Sequence, residues 1–440
     1  MRKKTILTLV VCAILGVVVV CTPQAQMNSA ALAGAAPNAA SPVAAASPDA
    51  IESKEQRDVR MKWVDAWAVS YLPTTVNGAL QAVPTFNNQT LRLNMFVKLG
   101  GTALRVKLTN RFSTKPLVIG GAHVALRRSA GGATSGPDIV PETDHILTFD
   151  GAKTIKLEPG KEIWSDTVDL TVKQHTDVTV SLFLPESTMP EAFHPTGLKT
   201  QYMTAGDHCG DATFPSAGIR SRTTMYFFVS DIQVLAPAKS RVIVTLGDSI
   251  TDGSTAANDR NASWPDVLSK RLPALQDGTP VCVINMGIGS NRLVTADAAG
   301  PTGLARLEDD VISRPNVSHL ILMEGINDIS YEQVPAEKLI AAYEQVIDKA
   351  HAKGIKVFGV TLLPIQNSRK DTPANEATRQ AVNKWIREAR RFDAVLDFEK
   401  VVQNPENPLR IRSDLTTDYV HPNTEGYRLM GESIPLKLFE

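Results

Sequence analysis

Hydrophobic residues change their rhythm once along this chain, near residue 240, and that change limits what it can fold into. Beyond it, short apolar runs at 241–246, 281–284, 319–323, 356–362 and 394–398 alternate with helical patterns such as 263–272, 337–353 and 375–390. Ser263 suits a helix N-cap, and Gly354 suits a helix end. Such alternation predicts an α/β unit, a parallel sheet flanked by helices on both faces, with ligands at the carboxyl ends of its strands. Before it, alternating segments at 91–98, 104–108, 154–157 and 178–184 are separated by turns such as Gly100-Gly101 and Glu158-Pro159-Gly160. Several short strands between turns predict a β-sandwich-like N-terminal domain over 58–235. The segment 235–240 reads as a short linker between the two.

The 440 residues are 43% hydrophobic and 21% charged, which suits large apolar cores and excludes a disordered chain. Lys+Arg and Asp+Glu number 46 each, so no basic surplus recommends nucleic acid as a partner. Met1-Arg2-Lys3-Lys4 followed by the apolar run 6–20 predicts a signal peptide over 1–33, with Ala31-Leu32-Ala33 a small-x-small cleavage site and Ala25 another. Cleavage after Ala33 leaves 43 basic and 46 acidic residues, a net charge of −3. No later run is long and apolar enough to span a bilayer, so the expectation is a secreted or periplasmic protein without stable membrane insertion. Residues 34–57 read as a flexible Ala/Pro/Ser spacer. Cys12 and Cys21 belong to the leader; Cys282 reads as a buried small hydrophobe and Cys209 lies in a Gly-rich turn, so no disulfide framework is expected. Oligomeric state leaves no mark in the sequence.

Four blocks carry chemistry. Gly247-Asp248-Ser249 ends the first parallel strand and exposes a serine on a tight turn. A serine hydroxyl needs a neighbouring base to act as nucleophile. Asp418-Tyr419-Val420-His421 supplies one, with Asp418 close enough to hold one ring nitrogen of His421 while the other takes the serine proton. Asn285-Met286-Gly287-Ile288-Gly289-Ser290-Asn291 and Gly325-Ile326-Asn327-Asp328 follow the second and third strands. The Ser249 N–H, a backbone N–H at Gly289 or Ser290, and the Asn327 amide are candidate donors to an oxyanion.

These blocks, in this order, resemble the SGNH (GDSL-type) hydrolase family over about residues 241–440. The resemblance implies Ser249 as nucleophile, Asp418 and His421 as the other triad members, and Asn327 as an oxyanion donor. Ser290 stands where the family usually has glycine, with Gly289 one residue early. The two-part layout is also similar to bacterial secreted esterases related to carbohydrate esterases. The implied activity is hydrolysis of carboxylic esters through an acyl-enzyme, without metal or organic cofactor, on an acylated poly- or oligosaccharide such as an acetylated glycan. A lipase or lysophospholipase is the rival within catalysis; a carbohydrate-binding or adhesion protein with an inactive hydrolase-like domain is the rival outside it.

Other groups read as structural. Asp207-His208-Cys209-Gly210-Asp211 has metal-ligand types in no standard spacing. Glu308-Asp309-Asp310 reads as a solvated helix face. Trp63 and Trp67 read as packing residues, and His123, His145, His175 and His194 as surface or structural ones.

Overall fold

Alternating burial shapes the first half of the chain, which in this computed structural model is described for residues 60–76, 79–129, 136–215 and 221–240, and the second half for 241–296 and 300–440. The leader and spacer expected over 1–57 lie outside the described residues. Strand Gln89–Val97 pairs antiparallel along its whole length with Thr176–Leu184, at the middle of a six-stranded sheet. Leu91, Leu93, Met95 and Val97 point to one face and are fully buried, as strand periodicity requires. A second, four-stranded antiparallel sheet, ordered Met61–Ala68, Val229–Pro237, Leu104–Thr109, Glu162–Trp164, contributes Val64, Val106 and Val234 to the same core. Trp67 is buried and packs edge-on against Tyr226 at 4.9 Å between ring centres, so it is a packing residue, whereas Trp63 is half-buried and carries the Arg105 guanidinium over its ring.

The opposite face of the six-stranded sheet buries Arg92 completely. Its Nη2 donates to the backbone carbonyls of His208, Cys209 and Asp211 at 3.0–3.1 Å. The 207–211 turn is therefore a collar of carbonyls around a buried cation. Among the described residues no group of three or more metal-ligating side chains gathers.

The second half is a five-stranded parallel sheet ordered Val281–Gly287, Arg241–Gly247, Val317–Met323, Lys356–Val360, Ala394–Leu396. Ile243 and Val283 pack on one face with Trp264 and Leu268 of helix Trp264–Arg271 and with Tyr427 and Met430 of helix Thr424–Ser433. Val242, Val244 and Leu246 point to the other face, over helices Ala336–His351 and Pro373–Glu388. Helices cover that face only in part. Near the edge strand Val281–Gly287 the antiparallel half covers it instead, so Ile284 and Met286 share one core with Val64 and Trp67.

Three details depart from the sequence reading. Strand Val229–Pro237 runs through the first half of the expected linker, leaving a turn closed by the Ser240 N–H on Pro237 O before Arg241 resumes as strand. The second parallel strand continues through Asn285-Met286-Gly287, in register with Thr245-Leu246-Gly247, because Asn285 satisfies the neighbouring backbone with its side chain. Asp310 is not solvated; it is buried with Arg306 at 2.8 Å and Ser70 at 2.6 Å, whereas Asp309 meets Arg111 at the surface. Among the described residues no helix is long and apolar enough to cross a membrane.

Candidate active site

Strand Arg241–Gly247 ends where the chain must turn sharply. Gly247 permits this because a Cβ there would collide with Thr251 Oγ1 and Met323 O. Asp248 then caps the short helix Ser249–Asp252, its Oδ1 accepting the Ile250 N–H at 2.9 Å. Ser249 thus sits on the first residue of the helix, at the carboxyl end of the sheet. Its Oγ lies 2.8 Å from His421 Nε2, and His421 Nδ1 lies 2.7 Å from Asp418 Oδ2.

The loop carrying His421 is fixed by its own polar groups. Asp418 Oδ1 accepts the backbone N–H of Val420 at 2.9 Å and of His421 at 2.8 Å, and Thr416 Oγ1 donates to His421 O at 2.8 Å. Partial burial works against the charge on Asp418. The His421 N–H, the His421 ring and the Val420 N–H outweigh it and hold the carboxyl below its usual range. With the carboxylate ionised, the imidazole carries its proton on Nδ1 and presents Nε2 to the serine hydroxyl.

The loop after the second strand faces this group. Ser290 adopts φ +62°, a left-handed conformation that favours glycine. Among the described residues no backbone group accepts the Ser290 N–H. The Gly289 N–H is turned toward the Asp252 carboxylate. Asp328 fixes the following loop, accepting from Leu293 N at 2.7 Å and Val294 N at 2.9 Å. Asn327, almost fully buried, directs Nδ2 at Asn291 O at 2.9 Å and, more loosely, at Asp248 Oδ2 at 3.3 Å. The structure therefore draws Ser249, Asp418 and His421 into one hydrogen-bonded chain, with Asn327 bonded to the residue before the serine.

Several buried groups behind this surface escaped the sequence reading. Arg306 donates to Gly247 O at 3.0 Å, Met286 O at 2.6 Å and Asn291 Oδ1 at 2.9 Å, tying the first two strand ends to the loop between them. It also meets Glu324 at 3.3 Å, whose carboxyl is pushed well up by burial and by nearby Asp248. Burial pushes Asp248 itself up to about 6. Asp252, in the nucleophile helix, pairs with His194 of the antiparallel half at 3.2 Å, and both are fully buried. Burial disfavours the imidazolium, yet Asp252 outweighs it and raises the His194 pKa. Lys370 lies 2.7 Å from Asn327 Oδ1. An isolated Arg, His or Lys gives no sequence signal for such work, because its partners come from elements far away in the chain.

The GDSL-like lipase/acylhydrolase family matches residues 245–429. No curated protein matches the chain. Among solved structures, a putative lipolytic protein of the G-D-S-L family from Desulfitobacterium hafniense is 25% identical over 44% of this chain and 97% of its own, with a TM-score of 0.35. An aryl esterase from M. smegmatis is 17% identical over 44% of this chain and 96% of its own, also at 0.35. Est24, a carbohydrate acetylesterase from Sinorhizobium meliloti, is 16% identical over the same shares, again at 0.35. The match takes in the end of the strand before Ser249 and the loop that carries His421, so the C-terminal half holds, over residues 245–429, a GDSL-like lipase/acylhydrolase domain of the esterase-type hydrolases.

Proposed function

We propose that this protein is an exported serine esterase that cleaves small acyl groups from poly- or oligosaccharides. The observation that carries the catalytic reading is the unbroken chain from Ser249 Oγ through both nitrogens of His421 to Asp418, at 2.8 and 2.7 Å. Ser249 attacks the ester carbonyl while His421 Nε2 takes its proton. The same proton then passes to the departing sugar oxygen, leaving the acyl group on Ser249. Water, deprotonated by His421, attacks that acyl-enzyme; collapse releases the carboxylic acid and returns the proton to Ser249. Asp418 keeps the ring oriented and balances the imidazolium charge.

The developing oxyanion is met by the N–H groups of Ser249 and Ser290 and by Asn327 Nδ2. Ser290 is preferred to Gly289 because the Gly289 N–H is turned toward Asp252. Support for a glycan substrate is the export leader together with the antiparallel half lying against the nucleophile helix. Leu198, from that half, abuts Gly253 just after this helix, and Leu198 O accepts the Asp259 N–H at 2.8 Å.

The test is hydrolysis of short p-nitrophenyl esters and of acetylated xylan by the protein and by Ser249→Ala. The protein is expected to turn over both and to prefer acetyl to long acyl chains. Ser249→Ala is expected to lose turnover while keeping its unfolding midpoint. Full activity in that variant sinks the mechanism; a preference for long acyl chains with no deacetylation of glycans sinks the substrate class.

A further inference from the structure

We propose that Lys370 is a positioning residue for the oxyanion site: it fixes the Asn327 side-chain amide with Nδ2 toward the nucleophile and strengthens that N–H as a donor. This rests on the reading of Ser249 and Asn327 given above.

Lys370 lies on the loop after strand Lys356–Val360 and is almost fully buried. Its ammonium donates to Asn327 Oδ1 at 2.7 Å and to Ser330 Oγ at 2.9 Å, and it lies 4.3 Å from the centre of the Tyr331 ring. All three partners sit on the one helix Ile326–Glu332. The loop is held from its far side, where Asn375 Nδ2 donates to Lys370 O at 2.9 Å. A lysine ammonium has three donors and no acceptor, so it can face only the oxygen of an amide. On the other side of that amide, Asn291 O is an acceptor and can face only the nitrogen, at 2.9 Å. Together they remove the freedom of Asn327 to flip. A cation on Oδ1 also draws electron density out of the amide and makes its N–H a stronger donor, an effect enlarged where water is excluded. The contact at 3.3 Å between Nδ2 and Asp248 Oδ2 is the weaker of the two Nδ2 bonds and the one an oxyanion would replace.

Burial lowers the pKa of Lys370 to about 8; Asp248 and Asp418 favour its charge, while Arg369 and Arg292 oppose it. The ammonium is therefore charged at neutral pH and discharges in the mildly alkaline range. Turnover should fall with that discharge.

Measured on a short p-nitrophenyl ester, Lys370→Met is expected to lower kcat about tenfold or more, less than the 10²–10³ lost with an oxyanion donor, with KM changed less than about twofold. Its kcat should lack the alkaline decline near pH 8 expected of the unaltered protein. Lys370→Gln, which keeps a donor for Asn327 Oδ1 but no charge, should recover part of the loss and also lack the decline. In an Asn327→Ala background the Lys370→Met change should cost almost nothing further, because it acts through a group already removed. Unchanged kcat in Lys370→Met, or full additivity with Asn327→Ala, overturns the inference. Should Lys370→Met unfold early, the Lys370→Gln profile and its own cycle with Asn327→Ala decide. Full activity in Ser249→Ala would instead overturn the functional reading itself.

Discussion

Asp418 has two oxygens, and both accept: Oδ1 from two backbone N–H groups, Oδ2 from the His421 ring. An amide cannot do this, because its nitrogen would face at least one donor. Asp418→Asn should therefore disturb both the loop and the ring, lowering kcat on a short ester by about 10²–10⁴ with little change in KM. A loss below about tenfold would mean that Thr416 and the backbone orient His421 unaided. A second histidine offers a pH test away from the site. His319 is buried on the central strand between the rings of Phe358 and Phe439, at 5.2 and 5.3 Å, with no partner for Nε2 among the described residues. Burial, then Lys356 and Arg241, lower its pKa to about 4 from an ordinary 6.5. Between those values the unfolded chain binds the proton and the folded chain does not, so stability is lost as pH falls through that window. Urea unfolding at pH 7 and pH 4.5 should show His319→Phe losing about 2–3 kcal/mol less than the unaltered protein. Equal losses would remove His319 from the acid sensitivity of the fold.

At the scale of elements, the loop after strand Val281–Gly287 carries the most constraint. A Cβ on Gly287 would collide with the backbone of Asp252, in the helix that presents Ser249. Gly287→Ala should therefore displace that helix and reduce kcat, even at temperatures well below its unfolding midpoint. Ser290, at φ +62°, is the opposite case. Ser290→Gly keeps the backbone N–H and relieves the left-handed strain, at the cost of a more flexible unfolded chain. The outcome should be unchanged kcat and a stability equal to or up to about 1 kcal/mol above the original. A large loss of kcat would give the Ser290 hydroxyl a role that its backbone position does not imply.

These elements also show what the sequence made legible. Strand–helix alternation located all five parallel strands, and the spacing within Asp418–His421 placed carboxylate and imidazole within one turn of each other. Asn285 read as the start of a loop because it is polar, yet its side chain completes the backbone bonding that lets the strand continue. Arg306, Lys370 and the His194–Asp252 pair stayed hidden for another reason. Each acts on groups many residues away, and local pattern carries no information about which distant carbonyl or amide a buried cation will meet.

At the scale of the molecule, the two halves are joined by more than the turn at 238–240. Ile284 and Met286 of the parallel sheet share a core with Val64 and Trp67 of the antiparallel half. Charges cross the same boundary: Lys98 meets Asp266 at 2.8 Å, His194 meets Asp252, and Arg314 bridges Asp65 at 3.0 Å and Asp231 at 2.7 Å. Both carboxylates are buried and the Arg314 side chain is only 11% exposed, so each partner left alone there would be costly. Removal of residues before Ser240 therefore exposes an apolar face and strands Arg314 and Asp252 without their counter-charges. A chain beginning at Ser240 should be insoluble or partly unfolded, and its loss of activity should extend to small esters as well as to polymer. In the full chain, Arg314→Met should destabilise by about 3–5 kcal/mol through the two unpaired aspartates. Because the core is continuous, that loss should shift a single calorimetric transition instead of splitting it. Two separate transitions in the unaltered protein, or a soluble chain from Ser240 with undiminished ester turnover, would show that the halves fold independently and that their contact is dispensable to the site.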